Sequence, residues 1–579
     1  MDKKEIAAIL DEMGTLLELK GENPFRSRAY HNAAQVIGTL NDDLDKLITE
    51  KKLTSVKGIG SGLSEIIIDL YTKKKSKHYE ELHASIPQGV LEMLRIQGLG
   101  SKKVKVLFEK LNIRSLSELK TACNEHRLLK VEGFGEKTEA NILKGLEHLE
   151  HSSDKYLYPK AKEAADRIVS SLKNLKQVKQ CEVAGSFRRR KEVIGDIDIL
   201  ISAAEKDRKT IFKTFLSHPD VANTIAAGET KSSVILKSGI HCDLRVVEEK
   251  EFPFALNYFT GSKEHNVEMR SLARTFGWSL NEYSFSIITD TKTKIQKPPV
   301  CKSEADIYGA LGLEFVPPEL RENTGEIDAA KKKKIPKLIE EKDLRGTFHC
   351  HTTNSDGVNS LEEMVSAAKQ LGWEYLGIAD HSQAAAYAGG LKPDRARAQI
   401  KAIAKLNEQM EGFRIFAGTE CDILPDGSMD YDDSMLSQFD YVVASIHSKF
   451  KMTEAEATQR IIKALKNKYV TILGHPTGRL LLEREGYPVN LNEIISVAGD
   501  LGKCIEINAH PLRLDLDWRY VKYAKEKGVI IAINPDAHRI EGLRDVQYGV
   551  GIARKGWLEA KDVLNTNSTE AVDKYFKEV

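Results

Sequence analysis

The spacing of apolar positions changes twice along the chain. Through about residue 150 they recur at helical intervals in short stretches separated by glycine turns, which predicts a string of small amphipathic helices. Beyond about residue 155 a period of two appears. In Asp196-Ile197-Asp198-Ile199-Leu200 and in His241-Cys242-Asp243-Leu244-Arg245-Val246, polar and apolar side chains alternate as on half-buried strands. From about residue 344 onward, apolar strand-like runs that each end in a His, Asp, Glu or Asn alternate with helical patterns, about seven times. That repetition predicts a barrel of strand–helix units, in which side chains at the carboxyl ends of the strands build a site.

Three of the early turns share one form: Val56-Lys57-Gly58-Ile59-Gly60, Ile96-Gln97-Gly98-Leu99-Gly100 and Val131-Glu132-Gly133-Phe134-Gly135. Each precedes a helix start, at Ser61, Ser101 and Glu136 respectively, and the apolar residue between the glycines is expected to plug into the helix pair. The glycines permit a tight hairpin whose N–H groups, with those of the next helix, can face a phosphate. Threefold repetition resembles helix-hairpin-helix motifs, which grip the DNA backbone without reading bases.

The strand pattern at 196–199 places two carboxylates on one face. Such a pair repels itself unless a cation lies between, and hard oxygen ligands favour Mg²⁺ or Mn²⁺. Asp243, on a second alternating strand, can join them. Upstream, Gly185-Ser186 allows close backbone approach to an anion, and Arg188, Arg189 and Arg190 offer forked donors suited to phosphate. Gly-Ser followed by Gly-Asp-Ile-Asp and a later Asp-Leu-Arg resembles the palm of the family X DNA polymerases. Tyr258-Phe259-Thr260-Gly261-Ser262, Asn266, Arg270 and Asn281-Glu282-Tyr283 are similar to the thumb of that family.

The resemblance implies that Asp196, Asp198 and Asp243 are the catalytic metal ligands. It places Gly185, Ser186 and Arg189 on the incoming triphosphate, Tyr258, Phe259 and Gly261 near its sugar, and Asn266 and Arg270 at the minor groove of the nascent pair. It further implies that Gly58, Gly60, Gly98, Gly100, Gly133 and Gly135 contact DNA, with Arg26 and Tyr30 near a downstream 5′-phosphate. Two departures stand out. Lys263 replaces an acidic residue of the animal polymerases. Ile66 occupies the position of their Schiff-base lysine, and without an amine there is no Schiff base, which argues against 5′-deoxyribose phosphate lyase activity.

In the last third, the strand ends carry His349 and His351, His381, Glu420, His447, His475, Asn508 and His510, then Asp536 and His538, with Asp356 in the first loop. Mixed imidazole and carboxylate donors suit Zn²⁺, Mn²⁺ or Fe²⁺. The set resembles the polymerase and histidinol phosphatase (PHP) family, whose nine ligand positions around three metals are all filled here: His349, His351, Asp356, His381, Glu420, His447, His475, Asp536 and His538. The resemblance implies hydrolysis of a phosphoester by metal-activated water, with Arg479 and His510 as candidate phosphate contacts.

Composition adds limits. A chain of 579 residues exceeds a single core, and the expected fold is multidomain, α+β and α/β. The parts are an 8-kDa-like helical domain (1–84), a fingers-like helix-hairpin-helix subdomain (85–154), a nucleotidyltransferase palm (155–252), a thumb (253–317), a polar linker (318–343) and a distorted (β/α)7 PHP barrel (344–579). No apolar run is long enough to span a membrane, and the amino terminus turns acidic too early for a secretory signal. Seven scattered cysteines form no disulfide framework, which fits a reducing, cytoplasmic and nucleoid-associated setting. A formal net charge of +1 does not by itself argue for nucleic acid; the local clusters at 73–75, 102–103, 188–191 and 331–334 matter more, and each alone reads as a solvated face or linker that only the neighbouring motifs turn toward nucleic acid. The expected partners are gapped or primer-template DNA and deoxynucleoside triphosphates, bound by a monomer. The expected activity is gap-filling synthesis coupled to a 3′–5′ exonuclease, with abasic-site cleavage or 3′-phosphatase activity as further possibilities for the barrel. A template-independent nucleotidyltransferase and a DNA-end scaffold are the alternatives.

Overall fold

A computed structural model describes residues 1, 3–38, 40, 44–94, 96, 99–152, 154–288 and 297–578, without the side chains of 4 and 147–152. The chain divides into two compact units, the first made mainly of residues 1–153 and the second mainly of 154–579.

The first unit is helical. Its three glycine turns close in the same way: Ile59, Leu99 and Phe134 each donate a backbone hydrogen bond to the carbonyl three residues back, at 3.0, 3.0 and 3.1 Å. Those apolar residues are 3%, 1% and 5% exposed, the plugs the pattern predicted. Helices α1 (Ser61–Lys73), α2 (Ser101–Leu111) and α3 (Glu136–Ser152) follow directly.

The second unit begins with the palm, a five-stranded sheet. Its strands are β1 (Gln180–Val183), β2 (Asp196–Ser202), β3 (Val221–Ala227), β4 (Lys231–Leu236) and β5 (His241–Val247), in the spatial order β1-β2-β5-β4-β3. Only β2 and β5 run parallel. Ile197, Ile199, Cys242 and Leu244 turn into a core with Ile168 and Phe215, which leaves the alternate carboxylates on the open face.

Helices α4 (Phe252–Thr260) and α5 (Lys263–Thr275) start the thumb. The segment 318–343, expected as a polar linker, does not behave as one. Leu320, Ile327, Ala330 and Leu338 join the thumb core around Tyr308 and Val316. Buried Arg321 bonds Glu304, and buried Glu326 meets His265 at 2.7 Å. Its charges divide: Arg321 and Glu326 are buried in ion pairs, while Lys331 to Lys334 stay exposed.

The barrel strands are β6 (Gly346–Thr347), β7 (Tyr375–Ile378), β8 (Arg414–Asp422), β9 (Tyr441–Ser445), β10 (Ile472–Leu473), β11 (Cys504–Asn508) and β12 (Ile531–Asn534), all parallel and in sequential order. Side-chain amides complete the ring where β6 meets β12: Asn534 accepts from Thr347 Oγ1 and the Phe348 amide at 3.1 Å, and Asn565 donates to the carbonyls of Gly346 and Ile533. Phe348, Tyr375, Phe416, Tyr441 and Phe576 fill the interior. Helices α6 (Trp518–Glu526) and α7 (Val546–Lys555) flank the barrel near the palm.

Candidate active sites

The palm register sets Asp198 beside Asp243 and Asp196 beside His241. Asp196 is exposed, while Asp198 and Asp243 are half-buried. Burial pushes the Asp198 carboxyl up to about 7, with Asp196 and Asp243 adding repulsion. Lys231 Nζ lies 2.5 Å from Asp243 Oδ2 and supplies part of the missing counter-charge. Three carboxylates gathered on two neighbouring strands fit divalent cations.

The turn after β1 lies directly against this cluster. Gly185 has φ +62°, which favours glycine, and a Cβ there would come 2.5 Å from Asp198 Oδ2 and push that carboxylate aside. Ser186 follows, half-buried. Arg189 does not sit as expected. Its Nε donates to Glu322 at 2.9 Å and its Nη1 to the Thr260 carbonyl, so the guanidinium is tied to the thumb rather than held open for triphosphate. Arg188 likewise bonds Thr260 and Glu304, and Arg190 stacks over Tyr158 at 5.3 Å.

Tyr258 and Phe259 meet edge to face at the end of α4, with the Arg245 guanidinium 4.4 Å from the Phe259 ring. Gly261 turns the chain with φ +72°. Asn266 is buried and donates to the Tyr258 carbonyl at 2.7 Å, and Arg270 Nε donates to the Asn266 carbonyl at 3.2 Å. These bonds hold the thumb turn in shape.

In the first unit, Gly58 and Gly133 have φ of +100° and +90°. A Cβ on Gly60, Gly100, Gly133 or Gly135 would meet nothing within 4 Å, and Gly60 and Gly100 have ordinary negative φ. Neither packing nor conformation demands glycine at those two positions. Gly98 lies outside the described residues. Arg26 is half-exposed and pairs with Glu22 at 3.3 Å. Tyr30, expected beside a 5′-phosphate, is instead 6% exposed in the helical core.

The barrel brings its nine residues to one end, around Glu420. Its carboxylate lies 2.9 Å from His475 Nε2, 3.1 Å from His447 Nε2, 3.0 Å from His381 Nδ1 and 3.3 Å from His349 Nε2. Asp536 Oδ1 is 3.2 Å from His351 Nε2, and Asp356 Oδ1 is 3.1 Å from His538 Nε2. Three sets could each hold an ion: His351, Asp356, His381 and His538; His349, His351 and Asp536; and His381, Glu420 and His447. Buried His349 Nε2 and both ring nitrogens of His351 lack a hydrogen-bond partner, as donors do when they are arranged for metal. The surroundings pull these imidazoles in opposite directions. Burial and the neighbouring imidazoles of His538 and His381 push His351 down to about 4. Against the pull of burial, Glu420 and Asp422 hold His447 up to about 10.

Several supporting residues escaped the sequence reading. Glu506, fully buried on β11, lies 2.8 Å from His349 Nδ1 and accepts the His475 amide at 2.7 Å. An acidic residue inside Cys504-Ile505-Glu506-Ile507-Asn508 was the available signal. Asp380 accepts from Thr352 and from Ser355 Oγ, which fixes the loop leading to Asp356. Arg513 Nε reaches Asp536 at 3.4 Å. Arg479, expected at a phosphate, instead bonds Asp517 at 2.6 Å and the Arg513 and Leu514 carbonyls, bracing that loop. His510 accepts the Leu512 amide at 3.3 Å.

A nucleotidyltransferase palm and thumb behind helix-hairpin-helix turns, joined to a PHP barrel, define a DNA polymerase of family X with a second, hydrolytic centre. Family models match along the chain: a helix-hairpin-helix domain at 1–76, a SAM-like helix-hairpin-helix tandem at 90–147, the DNA polymerase beta palm at 159–237 and thumb at 255–322, and the PHP domain at 347–510. The chain is 38% identical over its full length, and the relative's, to the DNA polymerase/3′-5′ exonuclease PolX of Bacillus subtilis (strain 168). It belongs to the bacterial family X DNA polymerases that carry a PHP domain. Part of it (40%) is 29% identical to 93% of a probable phosphatase of Thermoanaerobacter sp. (strain X514), and half is 25% identical to 52% of rat DNA polymerase lambda.

Proposed function

We propose that this chain is a DNA-directed DNA polymerase that fills short gaps during repair, with a metal-dependent 3′–5′ exonuclease in its PHP barrel. The observation that carries the reading is the register of Asp198 on Asp243 beside a glycine turn, in one chain with nine intact PHP ligand positions.

In the palm, Asp196, Asp198 and Asp243 would hold Mg²⁺ or Mn²⁺, which favours ionisation of the primer 3′-hydroxyl and neutralises the leaving pyrophosphate. Gly185 and Ser186 bring main chain to the triphosphate, and Tyr258, Phe259 and Gly261 shape the sugar pocket. Asn266 holds that pocket through the Tyr258 carbonyl. Gly58, Gly60, Gly100, Gly133 and Gly135 give a DNA backbone close access to the hairpins. In the barrel, His349, His351, Asp356, His381, Glu420, His447, His475, Asp536 and His538 would hold up to three Zn²⁺, Mn²⁺ or Fe²⁺ ions, which activate water and polarise the phosphoester. Glu506 orients His349 and His475, and Asp380 holds the Asp356 loop. Among the described residues no helix is long and apolar enough to cross a membrane. A cytoplasmic, nucleoid-associated monomer is the setting this reading assigns.

The test against a template-independent transferase uses four gapped substrates that differ only in the templating base. Each should direct its complement into the primer; the same nucleotide added on all four refutes templated synthesis.

A further inference from the structure

A buried cluster joins the barrel to the palm and has no part in either reaction's chemistry. Lys555, the last residue of α7, has a fully buried side chain and donates to Glu322 Oε1 at 2.6 Å and to the Arg189 carbonyl at 3.1 Å. Glu322 also accepts from Arg189 Nε at 2.9 Å and lies 3.5 Å from Lys191 Nζ. The Trp518 ring covers the ammonium at 4.5 Å. Nearby, Arg519 reaches Glu192 at 3.4 Å, and a Cβ on Gly551 of α7 would sit 3.7 Å from the Arg190 side chain. The turn 185–192 is therefore clasped by the barrel on one side and by Glu322, Glu304 and Thr260 of the thumb region on the other.

Apolar packing would join two domains at a lower desolvation cost than a buried ion cluster. What the cluster adds is direction, because Lys555 ends on the main chain of the turn itself. The turn lies close against the carboxylates, since a methyl at Gly185 would come 2.5 Å from Asp198 Oδ2. We infer that Lys555, acting through Glu322 and the Arg189 carbonyl, is a positioning residue for the incoming-nucleotide turn, so that the PHP barrel is a structural component of the polymerase site as well as a hydrolytic centre. The inference rests on the reading of Gly185 and Ser186 as nucleotide contacts.

The experiment uses the full chain with Lys555→Met and, separately, Glu322→Gln, each checked by thermal melting. Single-nucleotide incorporation at a one-nucleotide gap gives kcat and KM for the deoxynucleotide, and 3′ degradation of single-stranded DNA reports the barrel. The expected result is a KM raised roughly tenfold, the order of one lost charge-assisted hydrogen bond, with kcat within about twofold and degradation unchanged. An unchanged KM in the folded variants, or equal loss of both activities, overturns the inference. If Lys555→Met fails to fold, Glu322→Gln decides by the same criteria. Absence of incorporation by the wild-type chain would instead remove the nucleotide-site reading, and this inference with it.

Discussion

Replacing Glu506 by glutamine changes one oxygen to an NH₂ group and removes a charge from beneath the barrel site. The two carboxylate oxygens do different work: Oε1 lies 2.8 Å from His349 Nδ1 and Oε2 accepts the His475 amide at 2.7 Å. Glutamine can satisfy one of these with its carbonyl, and then points N–H at the other donor. His349 must in that case rotate or shed its Nδ1 proton, and either change disturbs the Nε2 atom 3.3 Å from Glu420. Loss of a hydrogen bond to a charged group is worth about 1.5–3 kcal/mol. Outer partners of metal-bound histidines typically matter by about 10–100-fold in metal affinity or activity. We expect Glu506→Gln to lower 3′-nuclease activity or Mn²⁺ affinity of the barrel by about 10–100-fold while gap filling stays within about twofold. Nuclease assays across a Mn²⁺ titration, with incorporation measured in parallel, read both. Wild-type metal dependence in the variant would refute the supporting role of Glu506.

Other outcomes follow from the same geometry. Asp196→Ala with Asp198→Ala should abolish incorporation yet leave DNA binding and 3′ degradation in place, measured by primer extension and gel shift. His349→Ala or Asp536→Ala should remove degradation and spare synthesis; equal loss of both would mean that the metal is shared or structural. Asp198, held up to about 7 by burial and its neighbours, keeps a proton below that pH in the metal-free palm. Mg²⁺ binding should therefore displace close to one additional proton at pH 6, relative to Asp198→Asn, and almost none above pH 8. Calorimetry in buffers of different ionisation enthalpy reads this difference, and equal proton release at both pH values would contradict it.

The shared face of the palm carboxylates and the barrel were legible because each depends on a short-range rule. Period-two alternation put Asp196 and Asp198 on one face, and a His, Asp, Glu or Asn recurred after each apolar strand. The glycine turns were legible for the same reason, down to the buried Ile59, Leu99 and Phe134. Partnerships across long separations were not. Arg189 looked available until folding brought Glu322, 133 residues away, onto its guanidinium. Arg479 was claimed in the same way by Asp517. The 318–343 segment looked like a solvated linker because a buried Arg321 and Glu326 are indistinguishable by type from exposed ones. Glu506 left a trace, an acid within an apolar strand, but its partners at His349 and the His475 amide are 157 and 31 residues distant.

The most direct measurement uses one 5′-labelled primer on a one-nucleotide-gapped template with Mg²⁺ or Mn²⁺, with and without deoxynucleotides. The account predicts addition of the templated base when nucleotides are present and progressive 3′ shortening when they are absent. A folded, metal-supplied chain that gave no extension and no shortening would contradict it.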